Sequence, residues 1–177
     1  YTILISAAFF LFFTTLNELF LKKFINVSQV IAHFGFSLFI LAILFNSILS
    51  SEIITNIKVG EKYNFNKSEI FFKKIEEKKE SNFNSIIGHF RITDEKGKVV
   101  ELKPEIRIYN QPEIITSEAD IKTTLLEDKF LVMNIVKGDE YFNIRYQIKP
   151  FMLWIWVSVL LLSLGGLISL FKKKYEK

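Results

Sequence analysis

Hydrophobic and polar positions divide this chain into two regimes. Residues 1–21, 30–49 and 151–171 form three apolar blocks, each near the ~20 residues that a helix needs to cross a bilayer. The second and third blocks hold no charged residue, and the first holds only Glu18. Between them, over residues 51–149, charges become frequent and apolar residues alternate with polar ones, the period expected of strands with one buried face.

The alternation is clearest in residues 141–148. Phe142, Ile144, Tyr146 and Ile148 share one face there, while Asn143, Arg145 and Gln147 share the other. Residues 130–136 read as the partner strand, joined through Lys137-Gly138-Asp139-Glu140. A second hairpin is expected where residues 88–92 meet residues 99–102 across Asp94-Glu95-Lys96-Gly97, since glycine supplies the positive φ of a tight connection. Further strands are expected at 62–65 and 70–75, and the mixed charge run at 73–80 reads as a solvated strand end or loop. Ser117, Glu118 and Asp120 predict a short N-capped helix within 116–126. Pro104 and Pro112 bracket residues 105–111, which predicts an edge strand or ordered loop, because proline lacks the N–H that an interior strand donates. Pro150 is expected in the first turn of the last helix, with Trp154 and Trp156 at the depth of a membrane interface.

These elements predict a membrane protein of α+β class, with three transmembrane helices and an exported antiparallel β-rich domain between the second and third. Residues 1–50 are expected to hold two spans joined by a short inner-side loop, residues 51–149 the exported domain, and residues 150–177 the third span and a basic inner-side tail. Gly35, Ser37, Ala42 and Ser47 in the second block, and Ser163, Gly165, Gly166 and Ser169 in the third, are small residues that permit close helix approach. The opening lacks the basic start and cleavage site of a signal peptide and has no initiator Met, so the chain is expected to be the C-terminal piece of a longer polytopic protein or a processed chain.

Composition refines this picture. The net charge of +4 falls where topology places it, with Lys22 and Lys23 after the first block and Lys172, Lys173, Lys174 and Lys177 after the last. A nucleic-acid partner is therefore not expected. The same rule puts residues 51–149 on the outer side. The chain has no Cys, which excludes disulfides and thiol chemistry of its own. No nucleotide-binding glycine loop, zinc-ligand set, hydrolase elbow or catalytic triad is present.

Candidate chemistry centres on His33. It lies inside the second apolar block, about 6 Å from its inner boundary, and an ionisable residue there is by default a functional candidate. The residues alone leave three roles open: haem-iron ligand, proton relay, or a histidine bonded to a neighbouring helix carbonyl or interfacial water. His89, the other histidine, belongs to the β-rich segment and reads as solvent-facing or packed. Glu105 and Arg107 share a strand face that Tyr109 continues, either as a surface ion pair or with Arg107 as the bidentate fork for a haem propionate or a partner's carboxylate.

Several short motifs, in order, resemble the C-terminal part of the CcmF family, the haem lyase component of cytochrome c maturation. Ala32-His33-Phe34-Gly35 is similar to the family's Ala-His-x-Gly, and the segment Leu102-Lys103-Pro104-Glu105-Ile106-Arg107-Ile108-Tyr109 to its Leu-x-Pro-Glu-x-Arg-x-Tyr. Arg145-Tyr146, Pro150, Trp154-Ile155-Trp156 and Leu164-Gly165-Gly166 resemble the family's ending. The resemblance implies that His33 is one of two axial ligands to a membrane b-type haem, the other lying on an upstream helix outside this chain. It implies haem delivery from the chaperone CcmE to apocytochrome c, with that cytochrome's thiol-handling factors, the remainder of CcmF and membrane lipid as further partners. The bacterial cytoplasmic or mitochondrial inner membrane is the implied location, with residues 51–149 on the periplasmic or intermembrane-space side. The family's Trp-rich outer motif and outer-side haem histidines are not among these residues, so the chain is expected to be a segment or split subunit and not a complete enzyme alone. The competing reading is a membrane-anchored β-domain that serves as a cofactor-free assembly scaffold or interaction subunit.

Overall fold

The structure is a computed structural model that describes residues 2–21, 26–136, 138 and 140–175. Its element order is α1 (Thr2–Leu21), α2 (Val27–Leu49), ten strands, and α3 (Met152–Tyr175). The strands are β1 (Ser51–Ile57), β2 (Lys62–Phe65), β3 (Ser68–Lys79), β4 (Phe83–Asp94), β5 (Val99–Leu102), β6 (Glu105–Asn110), β7 (Glu113–Glu118), β8 (Asp120–Thr123), β9 (Glu127–Ile135) and β10 (Phe142–Pro150). The chain separates into two compact units. One holds residues 1–50, 124–127 and 149–177, and the other holds residues 51–123 and 128–148.

In the helical unit, Val27–Leu49 and the Met152–Phe171 part of α3 are long and apolar enough to cross a membrane. The apolar stretch within α1, Ile3–Glu18, is shorter. α2 and α3 meet through small residues. A Cβ added at Gly35 would lie 2.9 Å from the Leu162 backbone nitrogen, and one at Gly165 would lie 2.7 Å from that of Ala32. Ser37 and Ser158 are buried in this unit, and each hydroxyl donates to a carbonyl of its own helix, at Phe34 and Ile155. No polar atom of either side chain is thus left to seek a partner in an apolar setting. α1 packs on α2 through aromatic pairs, with ring centroids of Phe12 and Phe34 5.5 Å apart and those of Phe9 and Phe45 6.0 Å apart. Lys22, Lys23 and Lys177, on which the expected orientation partly rests, lie outside the described residues.

The second unit is a β-sandwich. One sheet has the order β1-β10-β9-β8, and the other β2-β3-β4-β6-β7 with β5 also paired to β4. The alternation read from sequence is realised: Ile144 and Tyr146 are fully buried, with Phe142 and Ile148 packed against the same core. That core takes Ile57, Leu131 and Met133 from the first sheet and Ile70, Phe72, Phe90, Ile92 and Ile106 from the second. Phe72 and Phe90 stack at its centre, 4.2 Å between centroids. Gly88 makes room beside them, since a Cβ there would lie 2.7 Å from the Met133 sulfur. The hairpin predicted at 88–102 is present with Phe90 opposite Leu102, and Gly97 turns it at φ +74. The 62–65 strand is β2, and the charge run at 73–80 is largely the exposed end of β3.

Three local expectations are corrected. No helix forms within 116–126: Glu113–Glu118 and Asp120–Thr123 are strands, because pairing with β6 and β9 satisfies backbone groups that a short helix would leave open. The segment between the prolines is an interior strand, with β6 flanked by β4 and β7. Pro104 lies just before it and Pro112 in the turn after it, so neither interrupts the ladder. Pro150 ends β10 and does not open the helix. Phe151 turns the chain at φ +59, and α3 begins at Met152.

Candidate functional site

α2 sets the direction of each of its side chains through its turn of about 100° per residue. Ser28, Ala32 and Gly35 face α3, since Gly165 abuts Ser28 and Ala32 while Gly35 abuts Leu162. Phe34 and Phe45 face α1. His33 falls between these arcs and is exposed, as are Gln29 and Phe36 near it, so neither α1 nor α3 covers this strip among the described residues. Six residues follow Val27 to reach His33, which is about 9 Å along the helix axis. The strip therefore offers one imidazole on an otherwise mostly apolar helix face. A neutral ring nitrogen is a ligand for haem iron or another transition metal, but one ring fills one position. Among the described residues, no group of three or more His, Cys, Asp or Glu could hold a metal ion.

His89 is not part of this strip. It lies on β4 with its Nε2 2.9 Å from Glu76 Oε2 on β3, a pair that the sequence reading missed. The outward direction follows from its neighbours, because Gly88 and Phe90 both turn into the core.

On β6, an Arg107 terminal nitrogen donates to Glu105 Oε2 at 3.0 Å. Tyr109 stands opposite Phe83 and Arg107 opposite Ser85 on β4. The Arg107 guanidinium carbon lies 5.2 Å from the Phe83 ring centre, and that ring lies 5.3 Å from Tyr109. The guanidinium is thus committed within its own sheet, by hydrogen bond to Glu105 and by its cation–π contact with Phe83. The bond from Arg107 holds the Glu105 carboxyl below its usual range, and the same pair raises the Arg107 pKa. Phe83 was not singled out in the sequence, since its contact with Arg107 depends on the β4–β6 register. Asp128, at the foot of β9, is buried with its Oδ1 unbonded. Burial pushes its carboxyl above the usual range, against an opposing hydrogen bond from Thr123.

Comparison with known proteins gives a consistent result. Residues 48–150 match the family described as the CcmF C-terminal beta-sandwich. The cytochrome c-type biogenesis protein CcmF of Pseudomonas fluorescens is 28% identical over 146 residues, covering 82% of this chain and 22% of that protein. CcmF of Escherichia coli K12 is 27% identical over 149 residues, covering 84% and 23%. The biogenesis protein NrfE of Haemophilus influenzae is 25% identical and aligns with 99% of this chain and 28% of its own length. The chain therefore spans about a quarter of the length of these relatives. A solved cytochrome c heme lyase CcmF shares the fold at a TM-score of 0.65 and 20% identity, over 93% of this chain and 28% of that one.

Proposed function

The chain belongs to the CcmF family through its C-terminal β-sandwich, and from that membership we propose that it is a segment or split subunit of a cytochrome c haem lyase. In this reading α1, α2 and α3 all cross the membrane and the sandwich is exported. The lyase takes haem from the chaperone CcmE and attaches it to apocytochrome c, and this chain's part is to supply His33 as one axial ligand to a b-type haem in the membrane.

The residues fit one half of such a site. The imidazole stands exposed on α2, beside Phe36, where a flat apolar group can lie against the helix. Gly35 and Gly165 keep α2 against α3 and so fix the direction of the strip that carries the ring. When bound, the haem supplies a one-electron carrier. The second ligand and the lyase's outer-side haem site belong to the part of the family's length that this chain does not cover. Glu105, Arg107 and Tyr109 hold the sandwich's shape or dock a partner in this reading.

The observation that carries the proposal is the exposed imidazole within a span-length apolar helix, in a chain whose sandwich matches this family. In the assembled lyase, His33→Ala should abolish the Soret absorption of the membrane haem while leaving the protein level unchanged. Full haem content in that variant would overturn the ligand assignment.

A further inference from the structure

The connection between β8 and β9 is Thr124-Leu125-Leu126, and its tip is the pair Leu125-Leu126. Thr124 closes it, its backbone N–H donating to the Glu127 carbonyl at 3.0 Å and its hydroxyl accepting from the Glu127 N–H at 3.1 Å. Tips of this length ordinarily carry Asn, Asp or Gly. Here two leucines stand out from it, 69% and 66% exposed, although a turn closed by Thr124 makes no packing demand for them.

This tip clusters with the helices and not with the strands it joins. Two hydrogen bonds explain why. The Phe151 N–H donates to the Leu126 carbonyl at 2.8 Å, and the Trp154 indole N–H donates to the Leu125 carbonyl at 2.7 Å. Phe151 immediately precedes α3, where it adopts its positive φ, and Trp154 lies in the first turn of that helix. The tip is therefore fastened to the first turn of a helix long and apolar enough to cross a bilayer. Trp156, 62% exposed, extends the same level with a second indole. Indoles favour the headgroup level. Backbone carbonyls that enter that zone need donors, and Phe151 and Trp154 supply them to both residues of the tip.

We propose that the Leu125-Leu126 tip is a membrane wedge that enters the outer leaflet beside the start of α3 and, with Trp154 and Trp156, fixes the depth of that span. The occupant of the exposed apolar tip is phospholipid at the glycerol and upper acyl level. Continuity with α3 selects it, because a group hydrogen-bonded to the first turn of a span lies at the depth of that turn. The proposal rests on the reading of α3 as a span, and its test separates the two.

The chain has no Cys, so an introduced thiol is unique within it. Leu126→Cys, Leu164→Cys and Val99→Cys are each labelled with an environment-sensitive fluorophore. Leu164 is an exposed position midway along α3, and Val99 an exposed apolar residue on the β4–β5 hairpin. The protein, in the assembly in which it is purified, is reconstituted in phosphatidylcholine vesicles containing phosphatidylglycerol. Quenching by shallow and deep lipid nitroxides is compared with quenching by aqueous iodide. The probe at 126 should respond to the shallow nitroxide and resist iodide several-fold more than the probe at 99, while the probe at 164 responds to the deep nitroxide. Iodide access at 126 equal to that at 99 would overturn the wedge, with the span intact if 164 still meets the deep nitroxide. Shielding of 126 from both quenchers would also overturn it, in favour of a protein partner. A probe at 164 that meets no lipid quencher would remove the span and the wedge together.

Discussion

Gly165→Ala and Gly166→Ala differ by one position and should move stability in opposite directions. Both replace a helical glycine, and in an open helix each would gain about 1 kcal/mol of intrinsic propensity. The surroundings differ: a Cβ at Gly166 meets nothing within 4 Å, whereas one at Gly165 would lie 2.7 Å from the Ala32 nitrogen, 2.8 Å from its Cβ and 2.9 Å from the Ser28 carbonyl oxygen. Comfortable contact lies at about 3.5–4.0 Å, so α2 and α3 must part by about 0.6–1.3 Å, enough to forfeit a quarter to a half of each dispersion contact along the seam. Two of the three obstructing atoms are backbone, which cannot swing aside as a side-chain end can. Overpacking of this kind costs about 1–3 kcal/mol. Since the propensity gain cancels between the two variants, Gly165→Ala should be less stable than Gly166→Ala by about 1–3 kcal/mol. SDS titration of the protein in mixed micelles, followed by fluorescence of Trp154 and Trp156 at the start of α3, measures the difference. Coincident midpoints for the two variants, or a Gly165→Ala protein more stable than the parent, would refute the close helix seam.

Two further outcomes concern the sandwich. Glu105 is held below its usual range by Arg107, so its contribution is present above the unfolded carboxyl pKa and is lost as pH falls through the lowered folded value. Glu105→Gln should cost up to ~1 kcal/mol near neutral pH and converge with the parent in acid, as thermal melts across pH would record. Asp128 has the opposite sign. Burial raises its pKa above the ordinary 3.8, so its charged form weakens the fold increasingly as pH rises from 3.8 through the raised value. Asp128→Asn should melt higher than the parent at neutral pH and match it in acid, and a lower melting temperature at neutral pH would show that the carboxylate is compensated.

Much of the β-domain was legible because one buried face writes itself into every second residue. Phe142, Ile144, Tyr146 and Ile148 could be assigned to a core before any partner strand was known, and Gly97 announced its own turn. The errors arose where local signals competed with pairing. Ser117, Glu118 and Asp120 carry capping chemistry, but the free edge of β6 offered that backbone a complete ladder. Pro104 and Pro112 looked like edge markers, yet a proline just outside a strand leaves its ladder whole. His33 stood out because a polar ring in an apolar block is conspicuous, whereas the strip it occupies depends on where Gly165 and the phenylalanines of α1 meet α2. The bond from Trp154 to Leu125 had no sequence signal beyond two leucines in a turn, since it joins residues far apart along the chain.

The two sheets of the sandwich also differ in when they can form. β2, β3, β4 and β5 follow one another as antiparallel neighbours, so that sheet can assemble from local hairpins while the chain is still being made. β1 has no such option. Its partner is β10, with Ser51 opposite Ile148, and closing a loop of roughly a hundred residues carries a large entropic cost before the ladder offsets any of it. The strand that directly follows α2 must therefore wait for nearly the whole domain to be synthesised. During that interval Ile53 and Ile57, both destined for the core, have no sheet to enter, and the folding of this protein is most open to capture by a chaperone or by another chain.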